Sequence, residues 1–107
     1  MPFQSLLVVI ALTFTVGLAF SQKDDDDKEI KVILKKYTCT KCHHKSIRLI
    51  GPSFTAIAKR EYSKERLVEL IMNPEKGSWP GYGEMPRIDT LSRADVEKVA
   101  EWVRGIK

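Results

Sequence analysis

The chain has 107 residues, two cysteines and two histidines, with 18 Lys and Arg against 14 Asp and Glu for a net charge of +4. That length admits one small domain with little room for a self-sufficient core, so a covalent or cofactor staple is expected. Two cysteines cannot supply a four-thiolate zinc site, and both histidines adjoin Cys42 instead of forming a second ligand pair, which sets zinc aside.

Leu6 to Phe20 is an apolar run long enough for the core of a signal peptide and short for a membrane span. Ala19 and Ser21 are small residues two apart, so residues 1–21 are expected to be a signal peptide cut after Ser21. The first four residues carry no Lys or Arg, which leaves an uncleaved anchor as the alternative. Either way the cysteines are expected in an oxidising compartment, typically the bacterial periplasm. Residues 22–28 contain the run Asp24-Asp25-Asp26-Asp27-Lys28, which matches the recognition sequence of a processing protease used in protein expression. The segment is either such an engineered scar or an acidic linker in which Asp26 caps the next helix, with Glu29 three residues on.

Residues 29–107 are expected to form the functional domain. Ile30, Ile33, Leu34 and Tyr37 recur at the spacing of one helix face, which predicts a buried stripe leading directly into Cys39-Thr40-Lys41-Cys42-His43. Two thiols separated by two residues and followed at once by histidine are the attachment signature of c-type haem. Each thiol can add across a haem vinyl group to give a thioether, and the imidazole then ligates the iron. A thioredoxin-like dithiol would place the same cysteines in a strand-helix context, and no clear strand pattern surrounds Cys39. Gly51-Pro52 interrupts the chain, and a short helix is expected after it with Phe54 and Ile57 inward. The next helix opens near Ser63, carries Leu67, Leu70 and Ile71 as its buried stripe and stops at Asn73-Pro74. A loop rich in glycine and proline spans 77–86. The last helix begins with a capping box at Ser92 to Asp95, buries Val96, Val99, Ala100 and Val103, and carries Trp102 beside that stripe.

The order of these elements resembles the small bacterial class I cytochromes c across the whole expected mature chain, Gln22 to Lys107. The resemblance implies an all-α, cytochrome c-like fold of about four short helices wrapped around one covalently bound haem c. It implies thioethers from Cys39 and Cys42, iron ligation by His43, and a second axial ligand at Met85, the methionine just before Pro86. Pro52 resembles the family's residue whose carbonyl accepts the proton of the proximal histidine, and Trp79 resembles its loop tryptophan that hydrogen-bonds a haem propionate. Among other candidates for the sixth ligand, Met72 sits in a helical stripe where methionine usually fills core, and His44 is tethered to the same side as His43. Glu84 and Arg87 give this loop more charge than the family's apolar versions have.

With His and Met both bound, the expected chemistry is outer-sphere transfer of one electron, without enzymatic turnover. The rivals are a haem subunit of a larger dehydrogenase and a haem enzyme or gas sensor with a labile sixth ligand. Residues 28–107 carry 17 Lys and Arg against 10 Asp and Glu. Lys35, Lys36, Lys41, Lys45 and Arg48 lie close to the haem motif, which suits acidic docking patches on redox partners such as a terminal oxidase, reductase or dehydrogenase. Nucleic acid is not an expected partner, and a membrane is one only if the N-terminal segment is retained. Because so short a domain needs its staple, the haem-free chain is expected to be largely unfolded, which far-UV circular dichroism of the apo-protein checks.

Overall fold

The computed structural model describes residues 19–107, with side chains from residue 22 onward. The expected signal peptide therefore lies outside the described residues, apart from the backbone of 19–21. Four α-helices are present among the described residues: α1 (Ala19–Lys36), α2 (Phe54–Ala58), α3 (Lys64–Met72) and α4 (Arg93–Arg104), with a single 3₁₀ turn at Cys39–Lys41. No strand occurs among them, so the fold class is all-α, as expected. No helix of the described residues is long and apolar enough to cross a membrane.

Helix α1 starts earlier than its apolar pattern suggests. The segment 22–28, expected as a linker, is helical, and Asp26 lies inside α1 instead of capping it. There the Gln22 side chain donates to the Asp26 carboxylate at 3.1 Å, an i, i+4 contact that supports the extra turns. The predicted stripe holds: Ile30, Ile33, Leu34 and Tyr37 are all buried. Immediately after it, Thr38 adopts φ 57° and ψ 29°, a left-handed conformation that β-branched residues rarely enter. Its hydroxyl donates to the Tyr37 carbonyl at 2.7 Å, and the chain leaves the axis of α1 directly into Cys39.

The middle helices begin at serine caps. Ser53 accepts from the Ala56 N–H at 3.0 Å and Ser63 from the Arg66 N–H at 3.1 Å, each satisfying one of the orphan donors of a first turn. Phe54 is buried on α2 and Ile57 packs against the core at its edge. On α3 the buried pair is Leu67 and Val68, while Leu70 and Ile71, expected in the stripe, are only half-buried. The apolar residues of this helix serve two surfaces, since Val68 completes the core, Leu70 lines a cleft, and Leu67 and Ile71 belong to both. A single-stripe pattern cannot distinguish those two destinations.

Helix α4 packs on α1, α2 and α3. It does so through Val96, Val99, Ala100 and Val103, all buried, with Ala100 fully inaccessible. Full burial of a valine is worth about 1.5–3 kcal/mol, so this stripe is a large part of the core. Trp102 lies beside it, edge-on to Phe54 with ring centroids 5.2 Å apart. The cap at Ser92 forms, its hydroxyl accepting from the Asp95 N–H at 3.2 Å. The second half of the expected box is used differently. Asp95 turns to α1, accepting the Tyr37 hydroxyl proton at 2.7 Å and pairing with Lys36 at 3.4 Å. Tyr37 in turn accepts from the Ser92 N–H at 3.2 Å, so one buried phenol joins the end of α1 to the start of α4.

The hydrogen bond from Tyr37, reinforced by Lys36, holds the Asp95 carboxyl below the usual carboxylate range. A group whose folded pKa is depressed contributes stability above its unfolded pKa, and loses it as pH falls through the folded value. Asp95→Asn is therefore expected to lower the melting temperature at neutral pH, with the gap to the parent closing as pH drops through and below the carboxylate range. Thermal melts of the haem-loaded protein across that series check both the sign and the window.

Candidate functional site

The 3₁₀ turn sets the geometry of the cysteine motif. The Cys42 N–H bonds to the Cys39 carbonyl at 3.2 Å and the His43 N–H bonds to the same oxygen at 3.0 Å. Cys39, Cys42 and His43 are thus related as i, i+3 and i+4 of a helical turn, the spacing at which side chains share one face. All three line a single cleft together with Pro52, Trp79 and Met85, so one wall system gathers the six residues expected to hold the haem.

The histidine is held in one tautomer. His43 Nδ1 lies 2.7 Å from the Pro52 carbonyl oxygen, which can only accept. Nδ1 therefore carries the proton, and the Nε2 lone pair is free to bind a metal. Beneath the ring, the Gly51 N–H bonds to the Cys42 carbonyl at 2.8 Å. A Cβ at position 51 would lie 2.6 Å from His43 Cε1 and 2.9 Å from Nδ1, so the ring rests where only glycine leaves room. His43 also stacks on Phe54 at 5.5 Å between centroids. In sequence Gly51 is mere punctuation; its contact with the histidine depends on a close approach across eight residues that no local pattern reveals.

Burial pushes the Cys39 thiol upward, helped by the neighbouring Cys42. A thioredoxin-like dithiol would sit in a strand-helix context, and no strand occurs among the described residues. The two cysteines are not joined in a disulfide.

The alternative ligands fall away on position. Met72 packs against the core and is not part of the cleft wall. His44 is spent on its own turn, its Nδ1 accepting from the Ser46 and Ile47 N–H groups at 3.0 and 3.2 Å. Trp79 meets Tyr82 edge-on at 6.0 Å, and the guanidinium of Arg60 covers its ring at 3.3 Å from the centroid. Tyr62 and Tyr82 also line the cleft, two aromatics that sequence reasoning misses because neither sits in a motif. Of the five cations near the cysteine motif, Lys36 pairs with Asp95 and Arg48 lies over the Tyr82 ring at 3.8 Å. Lys35, Lys41 and Lys45 stand exposed. The extra loop charges find partners, Glu84 with Lys76 at 3.7 Å and Arg87 with Asp89 at 3.5 Å.

Two thiols and an imidazole on one turn, a thioether on a later loop, and walls made of Leu34, Phe54, Leu67, Val99 and Val103 fit a haem in both donor set and polarity. No family model matches the chain. It is 21% identical over 102 residues to cytochrome c-552 of Hydrogenobacter thermophilus, covering 94% of this chain and 96% of that protein. Among solved structures, cytochrome c552 of Nitrosomonas europaea superposes with a TM-score of 0.66 at 27% identity, over 72% of this chain and 99% of that one. The class 1 cytochrome MtoD of Sideroxydans lithotrophicus shares the fold, with a TM-score of 0.64 at 20% identity over 76% of this chain and 96% of that one.

These likenesses, with the CXXCH motif, support a small monohaem c-type cytochrome. Its all-α fold is the cytochrome c fold, and its cofactor is covalent haem c, for which Cys39 and Cys42 provide the cysteines of the CXXCH motif. A cytochrome of this kind is a haem-containing electron carrier. The contact between Gly51 and the His43 ring gives a direct test of how rigidly this cytochrome holds its histidine. Gly51→Ala must displace the ring or the backbone beside it, at an expected cost of about 1–3 kcal/mol in stability. Thermal unfolding of the haem-loaded variant against the parent measures it.

Proposed function

We propose that this cytochrome is a one-electron carrier whose haem c is attached through Cys39 and Cys42 and ligated by His43 and Met85. The observation that carries the reading is that His43, with its Nδ1 proton committed to Pro52, shares a cleft with Met85, whereas Met72 and His44 are occupied elsewhere. Bound haem supplies a reversible ferric–ferrous couple. The Pro52 carbonyl fixes the orientation of the imidazole and raises its basicity toward a metal. Pro86 stiffens the backbone next to Met85. A neutral thioether favours the ferrous state over the ferric, and the apolar walls strengthen that preference by excluding water. Trp79 is assigned to the propionate end of the haem, where an indole N–H can donate to a carboxylate.

With His43 and Met85 both holding the iron, no open site would remain for a substrate, and the role would be transfer without turnover. Lys35, Lys41 and Lys45 suit acidic docking patches on redox partners, such as a terminal oxidase, reductase or dehydrogenase. The working domain is residues 29–107, exported to the bacterial periplasm by cleavage after Ser21, or held facing it if residues 1–21 are retained as an anchor.

Replacing Met85 by Ala tests the ligand directly. The variant is expected to keep covalent haem and helical content, lose the sulfur-to-iron charge-transfer band at the red edge of the ferric spectrum, and bind carbon monoxide readily when reduced. An unchanged low-spin spectrum without carbon monoxide uptake would reject Met85.

A further inference from the structure

The loop that carries Met85 is gripped twice in the same manner. Arg60, which follows α2, donates to the Ser78 carbonyl at 2.7 Å and lays its guanidinium on the next side chain, Trp79, at 3.3 Å from the ring centroid. Arg48, from the segment after the cysteine motif, donates to the Gly81 carbonyl and covers the next side chain, Tyr82, at 3.8 Å. Each arginine thus holds one carbonyl and the aromatic face one residue later, and the two grips are three residues apart. Between them the Tyr82 N–H closes on the Trp79 carbonyl at 3.1 Å, while Gly81 at φ 88° supplies the turn. The same Arg60 nitrogen, Nη1, also donates to the Tyr62 hydroxyl at 2.9 Å, which adds a second partner on the side of α2.

Neither grip is available to lysine. A planar fork can donate in its own plane while its face lies on a ring, whereas an ammonium is a point donor. Nor does the methionine segment have a strong local tether, since the Lys76–Glu84 pair beside it is exposed at both ends.

We infer that Arg48 and Arg60 form a paired latch that holds the 78–82 segment and thereby sets how long the Met85 sulfur stays on the iron. The inference rests on the reading of Met85 as the sixth ligand. A neutral thioether is a weak donor, so its residence depends on how much chain freedom must be lost again each time it returns. The latch removes that freedom in advance. Arg48 also ties the loop to the peptide that follows His43, so the two sides of the haem site are coupled through a side chain. These are positioning residues, acting through the backbone between Gly81 and Met85.

The test uses haem-loaded protein carrying Arg48→Lys, Arg60→Lys, or both, with Arg93→Lys as a charge-matched control on the exposed face of α4, where Arg93 pairs with Glu97. Lysine preserves charge and stem, and far-UV circular dichroism with retention of covalent haem establishes folding. The measurements are the rate of carbon monoxide uptake by the ferrous form, well below each melting temperature, and the strength of the ferric sulfur-to-iron band on warming. Each single variant is expected to take up carbon monoxide about tenfold faster than the parent, the double variant faster still, and the control at the parental rate. The band is expected to fade at lower temperature in the same order. If the parent shows the band but both lysine variants match its uptake rate, the latch is overturned while Met85 stands. If the parent lacks the band and binds carbon monoxide at once, the ligand assignment fails and the latch with it.

Discussion

The apolar stripe of α4 is the surface that the other three helices have in common, and the haem site exists only because they are assembled on it. Val96, Val99, Ala100 and Val103 are buried against neighbours from α1, α2 and α3. Ala100 has no accessible surface, which lets a helix approach where a larger side chain would hold it away. Val99 and Val103 have a second role, because they also line the cleft. Core and cofactor wall are therefore one continuous apolar body. That continuity explains how so small a domain can order short helices that would not persist alone.

Around this body the polar contacts have a division of labour. Tyr37 connects α1 to α4 by accepting from Ser92 and donating to Asp95, and so fixes the relative placement of the first and last helices of the described residues. The Pro52 carbonyl and Gly51 fix the histidine from the middle of the sequence. Arginines then hold the late loop to what comes before it. Most of the ion pairs outside these contacts are exposed on both partners, among them Arg93–Glu97 and Arg87–Asp89, and contribute little.

Much of this architecture is legible in the sequence because the relevant signals are local. The stripe of α4 and the face of α1 follow helical periodicity, and the serine caps at 53, 63 and 92 sit where turn chemistry puts them. The cysteine motif is legible because its chemistry fits within five residues. What escapes is what depends on distance in the chain. Leu70 and Ile71 look like core and line the cleft, since periodicity reports that a face is apolar but not what it faces. Asp95 looks like half of a capping box and instead serves α1, because Tyr37, 58 residues earlier, offers a better donor than the local backbone. The extension of α1 through the aspartate run resembles a linker in sequence, since four like charges give no apolar face to recognise. Gly51, Tyr62 and Tyr82 acquire their roles only from tertiary approach.

Thr38 and Cys39 also make one sulfur common to two surfaces. The left-handed turn at Thr38 leads directly into Cys39, which is half-buried, packs against the core and lines the cleft. A thioether at that atom would join the cofactor to the end of α1 through a single side chain, so strain at one would be carried to the other without passing through the loops.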